Sequence, residues 1–265
     1  MPRGKFPRLE AYVRRWQELD SEWFEMEFNR ETMMSYCRRG LVDTLKILTA
    51  KESDAVVERG MNARTELGWP ELKNGGPSNP WEIEVFTFSE LGDDNKPGGC
   101  PNCFQVLLQL RVKGIAYREI GIDMTKAKKW FVTQINPKGT CPAIRHQGRV
   151  VADTENIRVY IEKKFANRGP ALMDEHPATA NHPMPFDPWD HFTGDPKDGY
   201  NVIRMLTAKL SGDTEALNER KAYLVSSMQT VEAHLKTLGR TAEGEAPWLS
   251  GGDLHFVDIR LMAVL

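Results

Sequence analysis

Two cysteines three residues apart stand in Gly98-Gly99-Cys100-Pro101-Asn102-Cys103, two of only 4 in the 265-residue chain. The run separates a segment rich in aromatic and β-branched residues, 81–88, from one with apolar Val106, Leu107 and Leu110 at helical spacing, 101–113. A thiol at a strand-to-helix turn has a chemical use. The helix N-terminus carries a positive partial charge that stabilises a thiolate, which lowers its pKa toward neutrality and makes it a nucleophile. Pro101 suits the first helical turn, where its missing N–H would have no partner. Cys103 lies one turn along the same face and can attack a mixed disulfide formed at Cys100. A C-x-x-C in a βαβ setting reads as a thioredoxin-like redox motif. Two other readings stay open. A structural zinc site needs four ligands, normally two such pairs, and one pair is present. Two packed, inert thiols are the second alternative.

The elements around the motif follow from pattern. Residues 9–28 carry Leu9, Tyr12, Val13, Trp16, Leu19, Trp23 and Phe24 at helical spacing; further helical patterns cover 31–50 and 53–66. Gly68, Pro70, Gly75, Gly76, Pro77 and Pro80 then make a linker. The order expected next is a strand over 81–88, a Gly/Pro loop over 92–99, and a helix over 101–113 stopped by Gly114. A strand over 117–123 and a helix over 126–134 follow, then strands 143–146 and 149–152 joined at Gln147-Gly148, and a helix over 154–165. Strand–helix–strand at this spacing implies a parallel pair, and the hairpin an antiparallel edge. A loop over 167–196 holds six prolines. Helices resume at 200–210, 214–238 and near His255.

Composition narrows the class. Lys+Arg 35 against Asp+Glu 37 leaves a net charge of -2, with no global positive field to steer nucleic acid. No run approaches the 18 or so apolar residues of a membrane span. The N-terminus lacks the apolar core of a secretory signal and carries Glu10, Glu18, Asp20, Glu22, Glu25 and Glu27, unlike a transit peptide. A cytoplasmic location is the default expectation; a chloroplast or mitochondrion fits if a transit peptide is already removed.

Residues 81–265 resemble the glutathione transferase superfamily, nearest to chloride intracellular channel proteins and plant dehydroascorbate reductases. The likeness rests on Lys96-Pro97-Gly98-Gly99-Cys100-Pro101-Asn102-Cys103, Cys141-Pro142, Asp153-Thr154 and Trp248-Leu249-Ser250-Gly251-Gly252-Asp253-Leu254 followed by Phe256-Val257-Asp258. It implies an α/β thioredoxin-like, glutathione-binding domain over 81–166 and an all-α glutathione-transferase-type domain over 197–265. They are joined by the Pro-rich loop 167–196 and preceded by an extra helical extension, 1–75. It implies that glutathione is the cofactor, that Cys100 is the nucleophile forming a mixed disulfide with it, and that Cys103 resolves. Pro142 matches a cis-proline, beside which Cys141 offers backbone groups to glutathione. Asp153 and Thr154 match the acidic-plus-hydroxyl pair that holds the γ-glutamyl end. Lys96, four residues before Cys100, would favour the thiolate. Thr154 opens a helix, whose N–H groups bind a carboxylate, and Asp153 can take an ammonium; a plain helix cap is the alternative for this pair.

Cys141 also invites a reading of its own: a third thiol facing Cys100, able to crosslink with it, or simply a small packed residue. His176, His182 and His191 with Asp174, Asp187 and Asp190 match no metal motif, and no metal site is expected. Arg14-Arg15 and Arg38-Arg39 read as a solvated face. Trp16, Trp23, Phe24 and Phe28 must pack either on the core or on a protein partner. His255 stands where relatives carry a Ser or Thr cap. The chain stops within the pattern of the core helix, leaving Leu261, Met262, Val264 and Leu265 as a candidate open face.

The function expected is a glutathione-dependent thiol–disulfide oxidoreductase or dehydroascorbate-reductase-like transferase, taking a small oxidised or disulfide substrate. The alternative is a non-catalytic structural or interaction subunit, with a protein partner at the N-terminal helices or the apolar C-terminal face. Membrane insertion as a channel is disfavoured. Its candidate segment, 103–124, contains Arg111, Lys113, Arg118, Glu119 and Asp123, and a charge at a helix centre costs roughly 2.5–3.5 kcal/mol.

Overall fold

A computed structural model describes residues 4–19, 83–90, 93–97, 100–123, 128–172, 192, 205, 208–209, 211–239 and 247–263. The expected helices over 31–50 and 53–66, most of the Pro-rich loop with its histidines, and most of 200–210 lie outside them, as do Trp23, Phe24, Phe28 and Arg38-Arg39. The chain divides into two compact units, Met1–Asn29 with Ala171–Leu265, and Arg30–Pro170.

The second unit is built on β1 (Ile83–Glu90). Ile83, Val85, Phe86, Thr87 and Ser89 are all buried, the near-continuous pattern of a strand covered on both faces. β3 (Tyr117–Ile122) runs parallel to it, with Ile83 opposite Tyr117 and Phe88 opposite Ile122. On the other side β4 (Ala143–His146) pairs antiparallel, with Phe86 opposite Ala143. β5 (Arg149–Ala152) completes a hairpin. Gln147 and Gly148 both adopt positive φ, 51° and 79°, as a two-residue turn of the primed type requires. The parallel pair β1–β3 is the expected one. The Gly/Pro loop expected over 92–99 is instead largely β2 (Asp93–Pro97), antiparallel to the end of β1. Ladder hydrogen bonds there override the low strand propensity of Asp-Asp-Asn-Lys-Pro.

Between β1 and β3 runs α2 (Pro101–Val112). Every residue from Cys103 to Leu110 is buried, so it is a core helix rather than the one-sided helix its apolar spacing predicts. Its polar residues are accommodated by α4 (Thr154–Lys164). Gln109 Nε2 donates to Arg158 O at 3.2 Å and Glu162 Oε1 at 2.9 Å. The buried Lys113 ammonium sits 3.2 Å from Glu162 Oε2 and donates to Pro170 O at 3.1 Å. A short α3 (Lys128–Gln134) places Phe131 in a buried cluster with Phe86, Ile122 and Ala143 of the sheet.

The other unit contains α1 (Pro7–Leu19), α5 (Thr214–Leu238) and α6 (Phe256–Met262). Phe6, Leu9, Tyr12 and Trp16 form the buried stripe of α1. Each of α1 and α5 supplies what the other's end lacks. Glu232 of α5 accepts from the Arg8 and Leu9 N–H groups at 2.9–3.1 Å, and Arg8 Nη1 donates to Gly239 O, at the end of α5, at 3.1 Å. Trp16 packs edge-on against Trp248, 5.3 Å between centroids, with the Arg15 guanidinium 4.1 Å over that ring. Trp16 therefore packs on the core of its own chain. The weak cap expected at His255 is made good by Asp258. Its Oδ2 accepts from His255 N at 2.9 Å, while Oδ1 accepts from Leu249 N at 2.7 Å and Tyr12 Oη–H at 3.0 Å.

Two expectations follow. Gly169 has φ 57°, and a Cβ there would lie 2.6 Å from Lys113 Cα. Gly169→Ala should lower stability by more than about 1 kcal/mol, read as a reduced midpoint in urea. Burial pushes the Asp258 carboxyl up to about 6, against the pull of its three hydrogen bonds. An acid with a raised folded pKa stabilises fully below its unfolded value, about 3.9, and loses that contribution as pH rises through 6. The stability of wild type relative to Asp258→Asn should thus fall between pH 4 and 7, by up to about 3 kcal/mol. A flat difference across that range refutes this.

Candidate thiol site

Cys100 is the N-cap of α2, with extended backbone (φ -80°, ψ 116°). Its carbonyl accepts the helix's first hydrogen bond, from Phe104 N at 3.0 Å, and Pro101 occupies the first turn. The extended N-cap leads the chain off the strand edge into the helix, so Cys100 sits at the positive end of the α2 dipole.

Cys103 follows one turn later, and Cys141 arrives from the loop before β4. All three are buried thiols rather than disulfides, and they share one cluster with Phe86, Ile122, Phe131, Ile135 and Ala143. Half-buried Phe88, Ile120, Trp130, Val150 and Ala152 pack against it. Burial pushes the Cys103 thiol well above its ordinary value. A hydrogen bond to Cys100 and the neighbouring Cys100 and Cys141 sulfurs add to the rise, and the Phe88 backbone opposes it. Cys103 is held as a thiol at neutral pH.

The approach to Cys141 is pinned by an Asn-Pro-x-Gly turn that sequence reasoning passed over. Buried Asn136 donates from Nδ2 to Thr140 O at 2.6 Å, and its Oδ1 accepts from Lys138 N at 3.1 Å. Gly139 N closes the turn onto Asn136 O at 2.8 Å. The signal was legible: Asn, Pro and Gly in such a run are turn residues with a mechanism. The Cys141–Pro142 peptide that follows is cis.

Ala143 pairs with Ala152 in the hairpin. Pro142 and Asp153 therefore leave the same end of β4 and β5, the end that β1 shares through Phe86 and Phe88. Asp153 has φ 80° and makes no side-chain bond to the helix that Thr154 opens. It does not serve as a side-chain cap of α4. Its carboxylate lies 3.5 Å from Lys138 Nζ, a pair open to solvent on both sides. Sequence reasoning missed Lys138, which lies fifteen residues from its partner. Lys96 falls on β2, and its side chain lies outside the described residues, as do Gly98 and Gly99.

The geometry brings together three thiols, a helix N-terminus, a cis-proline and an acidic residue before a second helix N-terminus. Residues 99–164 match the glutathione S-transferase N-terminal domain. Glutathione S-transferase DHAR2 of Arabidopsis thaliana is 27% identical over 179 residues, 68% of this chain and 71% of that protein. The chloroplastic glutathione S-transferase DHAR3 of the same plant is 29% identical over 83 residues, 31% of this chain. That match spans 32% of the relative's length. A solved glutathione S-transferase from the Antarctic clam Laternula elliptica superposes with a TM-score of 0.50 at 22% identity, covering 69% of this chain and 76% of the clam chain. The resemblance to glutathione transferases holds, and so does the fold class: a thioredoxin-like α/β domain with a helical domain after it. Among the described residues no helix is long and apolar enough to cross a membrane, and no group of three or more His, Cys, Asp or Glu is arranged to hold a metal ion.

The raised Cys103 thiol has a measurable sign. A thiol with a raised folded pKa contributes stability that is lost as pH rises above the ordinary thiol range. Alkylation of Cys103 in the native protein should keep accelerating beyond pH 9, while in the urea-unfolded chain it levels off there. Peptide mapping after timed alkylation distinguishes the two; identical profiles exclude the buried thiol.

Proposed function

We propose that this protein is a glutathione-dependent thiol–disulfide oxidoreductase of the dehydroascorbate-reductase-like kind. The observation that carries the reading is Cys100 at the N-cap of α2, clustered with Cys103 and with Cys141 of the cis peptide. Cys100 attacks a small oxidised or disulfide substrate. Glutathione, bound as a co-substrate, releases the product and regenerates the thiol. The extended segment before cis-Pro142 is suited to pair with the backbone of the tripeptide's cysteine. At the shared hairpin end, Asp153 would take the γ-glutamyl ammonium, and the N–H groups and hydroxyl of Thr154 would take its carboxylate. Lys138 already neutralises Asp153, so an incoming ammonium competes with a solvent-exposed lysine worth about 1 kcal/mol or less.

Cys103 is suited to a later step than Cys100. A thiol kept protonated attacks slowly, so substrate meets Cys100 first and Cys103 acts on a mixed disulfide already formed. Phe88, Trp130 and Val150 give the thiol cluster an apolar border, which favours a compact uncharged or weakly polar oxidant.

Glutathione-dependent reduction of dehydroascorbate and of a small aromatic disulfide tests the reading. Wild type should reduce at least one of them, and Cys100→Ser should fall to the uncatalysed background while still binding glutathione by calorimetry. A wild type with neither activity nor glutathione binding overturns it in favour of a structural subunit built on the same fold.

A further inference from the structure

Cys103 is one turn from Cys100 on the same helix, and its spacing alone marks it as a resolving thiol. Cys141 is different. It lies thirty-eight residues from Cys103, on the loop that Asn136 holds in place, and the fold delivers it into the same buried cluster. A buried cysteine is commonly a small packing residue. Here it shares the cluster with two other sulfurs as well as aliphatic and aromatic carbon, and its nearness adds to the rise of the Cys103 thiol. The three come from two separately anchored elements, the start of α2 and the cis peptide before β4. The fold holds both in one buried cluster.

We propose that Cys141 is a second internal resolving thiol, acting on the mixed disulfide at Cys100 in parallel with Cys103. This rests on the reading of Cys100 as the attacking thiol. Cys100 thiolate attacks a disulfide R–S–S–R, forming Cys100–S–S–R and releasing one RS⁻. Cys141 gives up its proton and attacks Cys100 Sγ; the S–S bond to R breaks, and the second RS⁻ leaves and takes a proton. The substrate is reduced to two thiols, and the protein holds a Cys100–Cys141 disulfide. Two glutathione molecules reopen it, the first forming a mixed disulfide and the second leaving with it as glutathione disulfide. Cys103 stays reduced throughout this branch. The protein therefore keeps an internal route to completion when its C-x-x-C partner is blocked or already oxidised.

The test uses the full chain with Cys37→Ser, which removes the fourth cysteine. Cys103→Ser and Cys103→Ser/Cys141→Ala are treated with excess glutathione disulfide at neutral pH, quenched in acid, and read by intact mass and peptide mapping. Cys141→Val runs beside Cys141→Ala to keep the buried volume. In Cys103→Ser the peptides of Cys100 and Cys141 should be joined, with two hydrogens lost and little glutathionyl adduct. The double variants should carry one glutathionyl group on Cys100, at least about tenfold more than Cys103→Ser, because intramolecular attack outruns release to solvent. Equal adduct in both sets overturns the assignment of Cys141 and leaves Cys100 as the attacking thiol. No adduct on Cys100 in the double variants overturns the nucleophile reading and the inference with it.

Discussion

β1 is paired on both sides, and that constraint organises the thiol site. Its parallel partner β3 forces the chain through α2, so the strand's exit and the helix's entry meet at one edge of the sheet. Its antiparallel partner β4 brings the cis peptide and the end of the β4–β5 hairpin to the same edge. Cys100, Cys141 and Asp153 are far apart along the chain, and all three positions follow from the pairing of one strand. Every buried residue of β1 serves that purpose. A strand hydrophobic on both faces cannot slip or drift to an edge without exposing one of them.

Charge is arranged in two different ways around this frame. Away from the site, the Lys113 ammonium and the Gln109 amide nitrogen both find partners on Glu162, so α2 can be covered all round without an orphaned cation. At the site, the buried groups are sulfurs, which are tolerated in an apolar cluster as neutral thiols. That environment keeps Cys103 protonated and leaves the helix terminus at Cys100 as the place where negative charge is best supported. The acidic Asp153 stays at the surface, beside Lys138.

Among the described residues, the unit containing α1, α5 and α6 is joined by exchange between helix ends. Glu232 and Arg8 each satisfy a helix end of the partner, and Asp258 binds donors from three separate segments. Tyr12 ties the N-terminal helix into that carboxylate. A segment that resemblance to relatives leaves without a role thus contributes a hydrogen bond and a buried aromatic stripe to the core.

Much of this was legible in the chain alone, where the determinants are local. The C-x-x-C before a helical pattern, Pro101 in its first turn, Gln147-Gly148 between two short strands and the 3–4 spacing over 214–238 all act within a few residues. The elements they announce are present with nearly the expected bounds. What pairing or burial decides was not legible. β2 forms from a sequence of poor strand formers because the end of β1 offers a ladder. Nothing in the sequence marks Lys113 as buried, and only the fold closes Glu162 and the Pro170 carbonyl around it. Asp153 reads as an ammonium ligand or a helix cap; its side chain makes no cap bond and lies beside Lys138. The sequence by itself determined the nucleophile candidate and the order of elements from α2 to α4, since helix capping and turn chemistry are short-range. The resemblance already set Cys141 opposite Cys100; only the tertiary structure decided that all three thiols are buried together in one apolar cluster, because that depends on which strands pair across the sheet.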